Sequence, residues 1–239
     1  MSNQDARNFN PWWALIFSFL IINLFPIPFD LLLSFAGDWV YFNPSEVEMY
    51  LVGMVKLYPI KHNLMMILAA PSMIYFIVWR MKKRGLDIKN ELGIYSFNKH
   101  AFFKSVIFLG LFLVLEEIYM QVLQIEIQES FLKFILSKPI VLGIIATIII
   151  APVLEEFIFR GFLLSQLKNK FGNWWAIILS SLAWTSVHFQ YELKILAAIF
   201  LFGLLLGFYR LKYNSLFLVI ILHAINNIIG FLVAYLAYS

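Results

Sequence analysis

Polar positions in this 239-residue chain are few and bunched, and the apolar stretches between them are long enough to cross a lipid bilayer. A helix needs ~20 mostly apolar residues to span ~30 Å of hydrocarbon, whereas a barrel strand would show a ten-residue alternation that this chain lacks. The pattern predicts helical spans over about Trp12–Phe35, Asn63–Trp79, Ala101–Gln124, Pro139–Leu167, Trp174–Gln190, Leu193–Tyr209 and Leu216–Tyr238. The expected fold class is all-α: a polytopic helical membrane protein of about seven transmembrane helices, with a range of six to eight. Trp12 and Trp13 suit an interfacial aromatic belt. Pro26 and Pro28, with Asp30 just after, must bend or break the first segment. Residues 37–62 form a more polar connection, with room for a short amphipathic piece. The stretch from Arg80 to His100 is polar and mostly basic, a loop or surface helix.

Composition sharpens this reading. Hydrophobic residues make up 62% of the chain and charged residues 13%, against roughly 25% charged in a soluble domain. The links between spans are short, so residues 1–239 read as one membrane domain, with residues 101–239 as its core. The net charge of +4 comes from basic residues in short loops, which is an orientation signal and not a nucleic-acid face. With the N-terminus cytoplasmic, Arg7, Arg80, Lys82, Lys83, Arg84, Lys89, Lys99, Lys104, Lys168, Lys170, Arg210 and Lys212 fall inside and only Lys56, Lys61, Lys133, Lys138 and Lys194 outside. The expected location is the plasma membrane of a bacterium. No cysteine is present, so disulfides, thiol nucleophiles and cysteine-ligated metals are excluded. No short hydrophobic core is followed by an A-x-A-like site, so the first span is expected to stay in the protein.

Candidate chemistry lies in the stretch Ala151–Gly161, APVLEEFIFRG. Ionisable groups at bilayer depth each cost at least a few kcal/mol, so three within six residues call for more than packing. Glu156 and Arg160 are four apart with the acid first, the favourable order for an ion pair. Glu155 is turned about 100° away and is free to face a cavity. Two further polar sites lie in apolar segments: His188 in SLAWTSVH, one turn after Trp184, and His223 in HAINN, one turn before Asn227. At about 1.5 Å rise per residue, Glu155 lies ~20 Å from Lys168, His188 ~21 Å from Trp174, and Asn227 ~18 Å and His223 ~12 Å from Ser215. These levels allow one buried site. Its chemistry suits addition of water to a carbonyl. A desolvated Glu155 takes up a proton readily and serves as general base. His188 shares the proton transfer or orients the water, and His223 and Asn227 donate to the developing oxyanion. Arg160 keeps Glu156 ionised. No Gly-x-Ser-x-Gly elbow is present, which favours an activated water over a covalent intermediate.

These residues carry a resemblance. EEFIFRG is similar to the EExxxRG signature of the CAAX-protease and bacteriocin-processing family of glutamate intramembrane proteases, also called Abi proteins. Trp184–His188 resembles that family's FxxxH motif with tryptophan in place of phenylalanine, and His223–Asn227 matches its HxxxN motif. The resemblance covers about the last 90 residues. It implies a helical membrane fold with a cavity in the lipid, Glu155 and His188 activating water, and His223 with Asn227 at the oxyanion. The tryptophan alters cavity volume and hence substrate shape. The expected activity is that of an endopeptidase without a cofactor, acting on a peptide or protein at the membrane, such as a prenylated tail or a leader peptide.

Other readings stand beside it. Zinc on Glu155, His188 and His223 is a permissible ligand set, although no HExxH supports it. An immunity or regulatory protein would bind a peptide in the same cavity without cutting it, and a small transporter would relay protons through the buried acids. Taken alone, the doublet and Arg160 are a structural ion-pair cluster, and the histidines hydrogen-bonded packing residues. Glu116 and Glu117 lie at much the same level as Glu155, with no basic residue nearby in sequence, and suit a polar lining or water path. Gly203 and Gly207 form a close-packing GxxxG. His62 and His100 are expected to be solvated at span ends.

Overall fold

A computed structural model describes residues 9–35, 49–51, 55–57, 59–125, 136 and 139–238. Helix α1 (Pro11–Leu24) starts under an Asn10 side chain that accepts from the Trp12 N–H, with Pro11 in the first turn, where its missing N–H costs nothing. As the prolines require, the segment breaks at Phe25–Pro26 and resumes as α2 (Ile27–Phe35). Two three-residue strands follow, β1 (Met49–Leu51) antiparallel to β2 (Val55–Leu57), a local departure from the all-helical expectation. Helix α3 (Pro59–Lys83) is longer than the predicted span and carries Pro71 inside it. A single-turn helix, α4 (Ile88–Leu92), occupies the basic stretch, capped by Asp87 and ended by Gly93 at φ 65°. Helix α5 (Lys99–Val122) begins under Asn98.

One continuous run then holds α6 (Ile140–Ile144), a π-helical stretch (Ile145–Ile150), α7 (Ala151–Glu156), a second π-helical stretch (Phe157–Leu163) and α8 (Leu164–Ser186). Gly172, at φ 78° and ψ 176°, breaks α8 between the predicted fourth and fifth spans, in a conformation open to glycine but strained for other residues. Helices α9 (Leu193–Tyr213) and α10 (Leu216–Tyr238) complete the fold. All seven predicted segments are helical. Five stretches among the described residues are long and apolar enough to cross a membrane: Pro11–Leu33, Ile60–Lys83, Ile140–Ser186, Leu193–Tyr213 and Leu216–Leu236. The protein is an integral membrane protein. Arg7, Asp38, Glu46, Glu48, Glu126, Glu129, Lys133 and Lys138 lie outside the described residues.

Helix α9 packs along α8, and the second π-helical stretch lies among α1, α4, α8 and α10. Its residues Phe157–Leu163 are all buried, so the doublet's own helix is the centre of the bundle. The α4 turn ties the helix ends together. The Glu91 carboxylate accepts from Ser165 and Gln166, the Glu91 carbonyl from Arg210, and the Gly93 carbonyl from the Leu216 N–H at 2.8 Å. The basic stretch is thus a docked connector. His100 is exposed, as expected of a span end, whereas His62 is half-buried within α3.

Candidate functional site

The doublet's setting has a local cause. In the first π-helical stretch the Ala151 N–H bonds the Ala146 carbonyl, one residue further back than in an α-helix. The Thr147 carbonyl thereby loses its ordinary partner. Its next candidate, five residues on, is Pro152, which has no N–H. A neighbouring helix supplies the missing donor: Asn227 Nδ2 on α10 donates to the Thr147 carbonyl at 2.8 Å. One of the two amide hydrogens of Asn227 is therefore engaged, and one remains. The second π-helical stretch opens just after Glu156, with the Leu164 N–H on the Phe159 carbonyl.

Glu156 and Arg160 are both fully buried and form the predicted ion pair, with Nη1 to Oε1 at 3.1 Å. The same carboxylate oxygen also takes His223 Nδ1 at 2.9 Å. Each charge is thus paired or hydrogen-bonded, as the cost of burying it demands. Arg160 reaches further than the spacing suggested. Its Nη2 donates to the Gly203 carbonyl on α9 at 3.2 Å, and its guanidinium lies 4.4 Å from the centre of the Trp184 ring. Gly203 permits this approach, because a Cβ there would stand 3.0 to 3.1 Å from Ser181, Arg160 and Trp184. The GxxxG is a packing face, as expected, and it also supplies an acceptor to the buried cation.

Glu155 faces the other way, half-buried, and its Oε2 accepts from the Trp184 indole N–H at 2.6 Å. Trp184 is the hub of the constellation. Its ring centre lies 5.1 Å from that of His188 and 5.4 Å from that of His223, both edge-on, and Phe202 closes the cage at 6.0 Å. Glu155, His188 and His223 therefore surround one indole. His188 itself was expected inside a span. It stands instead on the turn after α8, because the helix ends at Ser186. Its Nδ1 lies 3.0 Å from the Trp184 carbonyl, an acceptor only, so Nδ1 carries the proton and Nε2 of the neutral ring is left basic. Tyr191 stacks on His188 with ring centres 6.3 Å apart. Burial pushes the Tyr191 hydroxyl above its ordinary range, and the charge of Glu155 adds to the effect, so it stays an O–H donor at neutral pH.

Sequence reasoning missed Thr147, Gly203 as an acceptor, Tyr191 and the indole donor. Tyr191, three residues after His188, was within reach of a pattern argument; the other three depend on which helices become neighbours. Glu116 and Glu117 do not join the site's hydrogen bonds. Glu116 lines a groove of about 710 Å³ between α5, α8 and α9, together with residues such as Tyr119, Leu201 and Phe208. Glu117 is exposed and accepts from Gln121 at 2.7 Å. Among the described residues no three His, Asp or Glu side chains form a metal-ligand group.

This geometry, three motifs joined through one tryptophan in a helical membrane bundle, is what the comparisons with known proteins bear on. Residues 137–229 match the type II CAAX prenyl endopeptidase Rce1-like family. The Rce1-like segment contains all three motifs and every residue of the constellation, and it agrees with the resemblance read from the motifs. A curated protein of Escherichia coli, described as an uncharacterized 24.3 kDa protein, is 28% identical over 134 residues, 54% of this chain and 59% of that protein. The chain thus matches a little over half the length of this relative. No solved structure matches. The Rce1-like match begins at residue 137, so α1 to α5 lie outside it, and of the Glu116 groove only the walls from α8 and α9 fall within it.

Proposed function

We propose that the protein is an intramembrane endopeptidase that hydrolyses a peptide bond with a water activated by Glu155 and His188. The observation that carries this reading is the division of labour within the doublet. Glu156 is neutralised by Arg160 and His223, while Glu155 is half-buried and accepts from the neutral indole of Trp184, so it keeps the capacity to take a proton. The basic Nε2 of His188 accepts or relays that proton. His223, with Nδ1 committed to Glu156, presents Nε2 to the carbonyl under attack. As an imidazolium beside that carboxylate it donates to the oxyanion, and Asn227 does so through its remaining N–H. Water adds to the carbonyl, the proton passes to the leaving amine, and no covalent intermediate forms. The Rce1-like match supports the class of reaction.

The reaction needs no metal in this reading, and activity is expected to survive chelation, with no stoichiometric metal in elemental analysis of the active protein. The substrate class is a peptide or protein reaching the membrane, a prenylated tail or a leader peptide, and the setting is a bacterial plasma membrane with the N-terminus cytoplasmic. The test is a comparison of peptides in cells carrying wild type or Glu155→Gln. Products present only with the wild type support the assignment; an unchanged peptide profile with both proteins well expressed overturns it. The alternative, a peptide-binding immunity protein, would keep its biological activity after His188→Ala or His223→Ala.

A further inference from the structure

The geometry points to Trp184 as a positioning residue for Glu155, acting through its indole N–H and not through ring packing alone; this inference rests on the hydrolytic reading of the site. Glu155 lies on a turn flanked by π-helical stretches, and its carboxylate oxygen Oε2 meets Nε1 of Trp184 at 2.6 Å. A contact this short between an N–H and a carboxylate belongs to the stronger, charge-assisted class. One oxygen is thereby fixed, and Oε1 is left to take the proton of an attacking water. The donor is itself held in place. The Arg160 guanidinium lies over the ring of Trp184 at 4.4 Å, His188 and His223 meet it in edge-to-face contacts and Phe202 packs against it at a tilt, and Trp184 is almost fully buried. The Trp184 carbonyl meanwhile sets the tautomer of His188. One residue therefore orients both partners of the proposed proton transfer, Glu155 through its side chain and His188 through its backbone.

The charged and titratable groups around this pair are Glu156 and Arg160 on the same run of helix, His188 and Tyr191 beyond the end of α8, and His223 on α10. The indole N–H meets the Glu155 carboxylate directly, so it is a donor whose loss Glu155 would feel.

The test replaces Trp184 with benzothienylalanine, which keeps a bicyclic ring over Arg160 but carries sulfur in place of N–H, alongside the simpler Trp184→Phe. The first readout needs no substrate. In indole ¹H–¹⁵N spectra of the labelled protein in detergent, the signal lost in Trp184→Phe is expected downfield of the other indoles in the wild type, and to move upfield in Glu155→Gln. The second readout is cleavage of the peptide found in the cell comparison. The benzothienyl variant is expected to lose roughly ten- to a hundredfold in kcat, the worth of one hydrogen bond to a charged group, with KM nearly unchanged. An indole signal indifferent to Glu155→Gln, or a benzothienyl variant with wild-type kcat, overturns the inference. If cleavage survives Glu155→Gln, the hydrolytic reading itself falls; if Glu155→Gln is inactive and the benzothienyl variant is wild type, only the role of the indole falls.

Discussion

The chain holds two adjacent glutamate pairs within long, mostly apolar helices, and they differ in almost everything except sequence. Glu155 and Glu156 sit on a helix whose continuation is wholly buried; Trp184 from α8 and His223 from α10 bring donors to them from elsewhere in the fold, and Arg160 adds one from the following turn. Glu116 and Glu117 sit on the outer helix α5. One lines an apolar groove, and the other is exposed and bonded by Gln121 of its own helix. A carboxylate doublet in a membrane helix does not by itself make a site. Donors supplied by other parts of the fold do, because a buried charge is stable only where partners have been brought to it.

Breaking the first doublet should have the largest consequence. Glu155→Gln keeps shape and hydrogen-bonding capacity but cannot accept a proton, so cleavage should fall by about 10² to 10⁴, the usual worth of a general base, with the protein still extractable and folded in detergent. Removing one member of the buried pair attacks stability instead. Arg160→Met leaves the Glu156 carboxylate without its fixed cation, and should cost about 3 to 5 kcal/mol, measured as unfolding in mixed micelles. Gly203→Ala pushes a methyl group into Ser181, Arg160 and Trp184 and should cost about 1 to 3 kcal/mol by the same method. At the other doublet, Glu117→Gln should change stability by no more than about 0.5 kcal/mol and leave cleavage intact.

Much of the fold was legible because lipid imposes a simple rule: every apolar run of sufficient length becomes a helix. The break at Pro26, the pairing of Glu156 with Arg160 and the packing role of Gly203 all followed from local chemistry. The sequence could not reveal that the isoleucine-rich turn before the doublet and the phenylalanine-rich turn after it widen into π-helix, since the period of a segment is hard to read when nearly every face is apolar. The fate of the Thr147 carbonyl followed from that register change. His188 was placed inside a span because the apolar run continues past Ser186, where the helix stops. The indole hydrogen bond needed knowledge of which face of α8 meets α7, and residue spacing along one helix does not contain it.

The two doublets together provide the most direct trial of the account. Wild type, Glu155→Gln and Glu116→Gln, purified in the same detergent, are assayed on the peptide identified in cells. The account predicts full product with wild type and Glu116→Gln and none above background with Glu155→Gln. Equal loss in both variants, or product formed by Glu155→Gln, would contradict it.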